Sequence, residues 1–128
     1  MSKSFIIPLI ISISTFSFMQ NANAQQGGPY VRIANIVVDS VQLSQYKEQL
    51  KTGMETSVRT EPGVLSMYAV YDNLHPTHIT ILETYASKEA YQSHIQTPHF
   101  KKYKSGTLSM VKSLELTDVT PIANEVKK

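Results

Sequence analysis

Between Tyr30 and Ile122 the spacing of apolar residues marks out six elements in succession, and that order limits the fold more than any other property of the chain. Tyr30 to Val38 is rich in β-branched residues and predicts a first strand. Asp39 is a good helix cap, with Gln42 placed to complete a capping box. Tyr46, Leu50, Met54 and Val58 then recur every fourth residue, which predicts a helix over about Ser40 to Arg59. Glu61-Pro62-Gly63 ends it. Val64 to Asp72 and Thr77 to Tyr85 predict two strands joined by a short turn, hence an antiparallel hairpin. Ser87 caps a short helix to about Ile95, Thr97-Pro98 starts another to about Lys112, and Ser113 to Ile122 predicts a fourth strand. The order β-α-β-β-α-β predicts an α+β, ferredoxin-like domain: a four-stranded antiparallel sheet with helices on one face.

The strand faces carry the next inference. In the second strand Leu65, Met67, Ala69 and Tyr71 alternate with Val64, Ser66, Tyr68 and Val70, and neither set is plainly polar. A sheet with one wet face should alternate cleanly. The helix-free face is therefore expected to be covered by a second copy, giving a homodimeric α/β barrel, with a substrate pocket between each sheet and its helices or near the seam.

Composition narrows the chemistry. The 128 residues contain no Cys and no Trp, which excludes disulfides, thiolate catalysis and thiolate metal sites. Residues 1–24 resemble a secretory leader: Lys3, an apolar run from Phe5 to Phe18, and Ala22-Asn23-Ala24 as a cleavage pattern after Ala24. The expectations are a periplasmic or secreted protein, a flexible lead-in at 25–29, one domain at 30–122, a polar tail at 123–128, and no membrane association once the leader is cut. Removing the leader takes away Lys3 alone, leaving 11 basic against 10 acidic residues. That balance offers no electrostatic footprint for nucleic acid.

Three stretches carry a resemblance: Glu61-Pro62-Gly63-Val64-Leu65, the strand Ile79-Thr80-Ile81-Leu82-Glu83-Thr84-Tyr85, and Ala90-Tyr91-Gln92-Ser93-His94-Ile95-Gln96-Thr97-Pro98-His99-Phe100. In this order and spacing they resemble the antibiotic biosynthesis monooxygenase family, especially its small quinol monooxygenase-like members. The resemblance implies a dimeric α+β barrel and oxygen chemistry on phenolic or quinol-like substrates without metal or flavin. Relatives of similar fold that degrade haem use a Trp and a His, and this chain has no Trp.

Cofactor-free oxygenation needs a base that makes an electron-rich anion, and an imidazole is suited to that. His94 and His99 would point about 140° apart on one continuous helix, but the Thr97-Pro98 break lets both face one cavity. Each is a candidate base or orienting group; alternatively they stitch the two helical pieces together. Glu83 shares a strand face with Ile79 and Ile81, so it should be buried and should either orient a His, accept a proton, or pair with Arg32 or a Lys. Tyr68, Tyr71, Tyr85 and Tyr103 are candidate pocket residues, with Phe100 as a wall and Asn35 as a donor to an oxyanion. No tight metal-ligand spacing occurs; a site on the two histidines would need Glu83, His75 or His78 as third ligand, and neither metal nor cofactor is expected. The reading that follows is a monooxygenase using a small aromatic or quinol-like substrate and dioxygen. The alternatives are a ligand- or haem-binding stress protein and a His/Glu isomerase on the same fold.

Overall fold

The computed structural model describes residues 27–128, so the leader expected at 1–24 lies outside the described residues. The elements follow the predicted order: β1 (Tyr30–Val38), α1 (Leu43–Thr60), β2 (Val64–Tyr71), β3 (His78–Tyr85), α2 (Lys88–His94), α3 (Pro98–Thr107) and β4 (Val111–Val119). All strand pairs are antiparallel and the sheet order is β2-β3-β1-β4. Among the described residues, no helix is long and apolar enough to cross a membrane.

Each helix start has an identifiable cause. A 3-10 turn, Ser40–Gln42, precedes α1, and Asp39 accepts the Val41 N–H. The expected capping box does not form: Gln42 donates its side-chain amide to the Asp39 carboxylate at 3.0 Å, and the Asp39 N–H it would have held goes to the Met110 carbonyl. Ser87 accepts the Ala90 N–H at 3.1 Å and caps α2. Thr97 caps α3 through the Phe100 N–H, with Pro98 in the first turn where its missing N–H costs nothing.

The last helix, the second strand and the fourth strand differ from expectation, the fourth running from Val111 to Val119 rather than from Ser113 to Ile122. The helix predicted to reach Lys112 stops at Thr107, and a 3-10 turn, Leu108–Met110, follows. Pairing with β1 takes Val111 into β4 opposite Val38, and the Met110 carbonyl accepts the Asp39 N–H. In β2, Val64 pairs with Tyr85 and Ser66 with Thr84, which leaves Leu65 as a bulge. Simple alternation groups Val64 with Ser66, Tyr68 and Val70; the bulge separates it from them, and it is buried while Tyr68 and Val70 are exposed.

The helix-facing side of the sheet supplies the core. Ala34, Ile36 and Val38 from β1 and Ile79 and Ile81 from β3 pack against Tyr46 and Leu50 of α1 and against Met110. Each Val, Ile, Leu or Met side chain so buried contributes about 1.5–3 kcal/mol. Gly63 is required by close approach: a Cβ there would lie 2.6 Å from that of Ala90, so α2 rests directly on the turn before β2.

The other side of the sheet is uneven. From β2, β3 and β1 it presents Tyr68, Val70, Leu82, Ile33 and Val37, with Tyr68 69% exposed and Leu82 41% exposed. From β4 it presents Ser113, Glu115 and Thr117. On the helix-facing side, α1 packs over β2 and α2 over β2 and β3, and β4 lies at the far edge of the sheet. Its inward residues Leu114 and Leu116 are consequently half open.

Candidate active site

The site is assembled where three segments meet: the end of α1, the α2–α3 junction and the centre of β3. α1 ends at Thr60, and Glu61 follows in extended conformation, which carries its carboxylate back toward α2 and α3. His94 closes α2. Its carbonyl is held by the Thr97 hydroxyl at 2.7 Å, so the cap that starts α3 also fixes the end of α2. His99 lies in the first turn of α3.

One carboxylate oxygen joins these parts. Glu61 Oε2 is 2.8 Å from His94 Nδ1 and 2.6 Å from His99 Nε2. The helix break therefore does what the sequence required of it, bringing two imidazoles five residues apart onto one point. Burial pushes the Glu61 carboxyl up, but the hydrogen bonds from His94 and His99 outweigh it and hold the group below the usual carboxylate range. With Nδ1 donating to Glu61, the His94 ring is fixed in the tautomer whose Nε2 can accept a proton.

His94 is 4% exposed and forms part of the wall of a cavity of about 300 Å3 between the sheet and α1 and α3. Phe100 meets the His94 ring edge-on, with centroids 5.0 Å apart. Tyr103 is also in the wall, its hydroxyl 2.6 Å from that of Tyr46. The rest is mainly apolar, including Ile36, Ile81, Leu114 and Leu116. Among the described residues, Glu83 is the one carboxylate in the wall and Lys104 the one ammonium. Burial pushes its carboxyl above the usual range, opposed by the Tyr85 hydroxyl and by the charges of His94 and Arg32. Such a lining raises the weight of each polar contact made inside it.

The sequence-predicted residues divide accordingly. His94, Glu83, Phe100 and Tyr103 line the cavity. Tyr85 does not line it; fully buried, it donates its hydroxyl to Glu83 at 2.9 Å and holds that carboxylate in place. His99 does not line the cavity; it is joined to His94 through the shared Glu61 oxygen. Asn35 and Tyr68 are not brought to the site. Both fall on the helix-free face by strand parity, where Asn35 accepts from the Thr80 hydroxyl. Tyr71 lies in a separate groove, with the Lys47 ammonium 3.6 Å above its ring.

The orienting role considered for Glu83 belongs to Glu61, which the sequence presented only as a turn former. The alternative Glu83–Arg32 pair does not form either, because Arg32 binds Asp118 at 2.9 Å. Glu61, His94 and His99 are also a possible ligand set, their donor atoms all within 4.8 Å of one another. Ligands around a tetrahedral zinc stand about 3.3 Å apart at ordinary bond lengths. The 2.6 and 2.8 Å separations are those of hydrogen bonds, so an ion would require Glu61 to withdraw.

Comparison with known proteins places this geometry. A crystal structure from Bacteroides thetaiotaomicron, described as a candidate antibiotic biosynthesis monooxygenase, is 51% identical, with a TM-score of 0.75 over 79% of this chain and 96% of that one. A candidate monooxygenase from Lactobacillus acidophilus is 30% identical, with a TM-score of 0.72; 74% of this chain is matched to 45% of that one. A Nitrosomonas europaea protein of the same description shares the fold at 21% identity, with a TM-score of 0.71 over 76% of this chain and 93% of that one. Among curated proteins none matches. The family model for antibiotic biosynthesis monooxygenases matches residues 29–105, from the start of β1 into α3, and the chain belongs to that family.

Proposed function

We propose that the protein is a monooxygenase that oxidises a small phenolic or quinol-like substrate with dioxygen, without a metal or organic cofactor. The observation that carries the reading is His94: an imidazole in the wall of a mainly apolar cavity, its Nδ1 fixed by Glu61. The substrate ring lies against Phe100 and Tyr103. His94 Nε2 takes a proton from a ring hydroxyl, and the quinolate passes one electron to dioxygen. The two radicals combine at a ring carbon to form a C–O bond. The O–O bond then breaks as that carbon loses its hydrogen as a proton; the leaving oxygen takes this proton and the one held on His94 and departs as water. A quinol with a free ring C–H and one dioxygen thus yield a hydroxyquinone and one water. Glu83, with its carboxyl pushed up by burial, is placed to relay the second proton. Family membership supports the oxygenase class.

The finer assembly is part of the same reading. The apolar stretch of the helix-free face, with Tyr68 and Leu82 exposed, pairs with that of a second copy. The leader directs the protein out of the cytoplasm.

Oxygen uptake with a panel of small quinols tests the chemistry. The expected result is consumption of dioxygen, one labelled oxygen atom from 18O2 in the product, and a loss of at least about 100-fold in His94→Ala with an unchanged circular dichroism spectrum. Turnover that proceeds equally under strict anaerobiosis would indicate an isomerase. Tight binding without turnover, or a Soret band on adding haem, would indicate a sequestering protein.

A further inference from the structure

The cavity at His94 has a neighbour. A groove of about 590 Å3 runs between α1 and β2, an edge strand of the sheet. Ala69 and Ile79 form part of its lining, with Val58 and Tyr71 beside them. Leu50, Met54 and Met67 line the groove and the cavity alike. The two spaces are thus divided by a partition to which all three side chains belong. Two of them are methionines, half-buried rather than locked in the core, and an unbranched thioether chain repacks more readily than any other apolar side chain.

The chemistry is distributed unequally. His94 and Glu83 are on the cavity side. The charges of the groove belong to α1, where Lys51 pairs with Glu55 at 3.6 Å and Lys47 covers Tyr71. With Arg59 they line its α1 side, while Ala69 and Ile79 give it an apolar floor beside the reacting groups. The sizes agree with this division. An apolar cavity of about 150 Å3 accommodates a benzene, so about 300 Å3 takes a fused ring pair and leaves little room for a substituent.

We propose that cavity and groove are two halves of one site, binding a phenol- or quinol-class ring beside His94 and an apolar chain that leaves the ring past Met54 and Met67 into the groove. The inference rests on the cavity being the substrate site and adds the substrate class: a ring carrying an alkyl or prenyl-like tail.

Isothermal titration in anaerobic buffer with 1,4-naphthoquinone and its 2-butyl and 2-octyl derivatives tests it. The wild type is compared with Val58→Asp, which puts a charge in the groove, and with Leu74→Asp, on the distant β2–β3 turn. Both positions are exposed, so both variants should fold. Affinity should rise with chain length, by at least about tenfold from the bare ring to the octyl derivative. Val58→Asp should cut that gain below about threefold, and Leu74→Asp should retain it. Equal affinity for bare and chained rings, a gain that survives Val58→Asp, or a gain lost equally in Leu74→Asp would overturn the proposal. A bare ring that binds while the chain adds nothing defeats this inference alone. If no quinone binds at all, the functional reading fails and takes the inference with it.

Discussion

Replacing Glu61 by Gln keeps the shape of the side chain and removes its charge, which isolates what the carboxylate does for the two imidazoles. A hydrogen bond to an ionised group contributes about 1.5–3 kcal/mol, against about 0.5–1.5 kcal/mol between neutral groups. Glu61 Oε2 makes two such bonds, to His94 and His99. Its side chain is 14% exposed, so water recovers part of the difference, and a loss of about 2 kcal/mol is expected at neutral pH. The pH dependence has a definite sign. The folded-state carboxyl lies below its ordinary value, so its stabilisation is complete above the ordinary carboxylate range and is lost as pH falls through the lower folded value. Guanidinium unfolding of wild type and Glu61→Gln, repeated at steps from pH 7 into the carboxylate range, should show a gap that closes toward acid. A gap under about 0.5 kcal/mol at pH 7, or one that persists unchanged in acid, would refute the bridging role.

Three further outcomes are expected. Tyr85→Phe removes the hydroxyl that opposes the upward push of burial on Glu83, so stability should fall by about 1 kcal/mol and the acid limb of the activity profile should move to higher pH. Gly63→Ala forces two β-carbons together at Ala90 and should cost about 1–3 kcal/mol in thermal or denaturant unfolding, while Gly28→Ala, with open space around it, should cost almost nothing. Leu82→Lys places a charge in the apolar stretch of the helix-free face and should convert a dimer to monomer by sedimentation or light scattering, with His94 and its cavity intact; a wild type already monomeric at micromolar concentration would remove the basis for pairing.

What could be read in advance followed the range of the interactions involved. The six elements rest on local signals, and the caps at Asp39, Ser87 and Thr97 each act within three residues. Strand parity placed Glu83 correctly among Ile79 and Ile81, but it could not say which face of β1 meets the helices, so Asn35 was assigned to a site on the far side of the sheet. The same ambiguity in β2 put Tyr68, which pairs with Leu82 on the helix-free face, among the candidates. Alternation groups Val64 with Ser66, Tyr68 and Val70, but the bulge at Leu65 separates it from them, and nothing in an apolar run announces a bulge. Glu61 was hidden because its partners are 33 and 38 residues away. The available clue was chemical: a carboxylate one residue beyond a helix end, in a chain whose two central histidines needed an acceptor.

The link between α1 and β2 is only Glu61-Pro62-Gly63, yet it carries the acceptor for both imidazoles and the point where α2 rests. A residue added or deleted there would move Oε2 by more than a hydrogen-bond length and separate it from one histidine or both. The turn at Asp72 to Thr77 bears no such burden; its Asp72 carboxylate serves only backbone N–H groups and His75 within the same loop. Length variation in this fold should therefore collect in the hairpin turn, while the three-residue link keeps a fixed count.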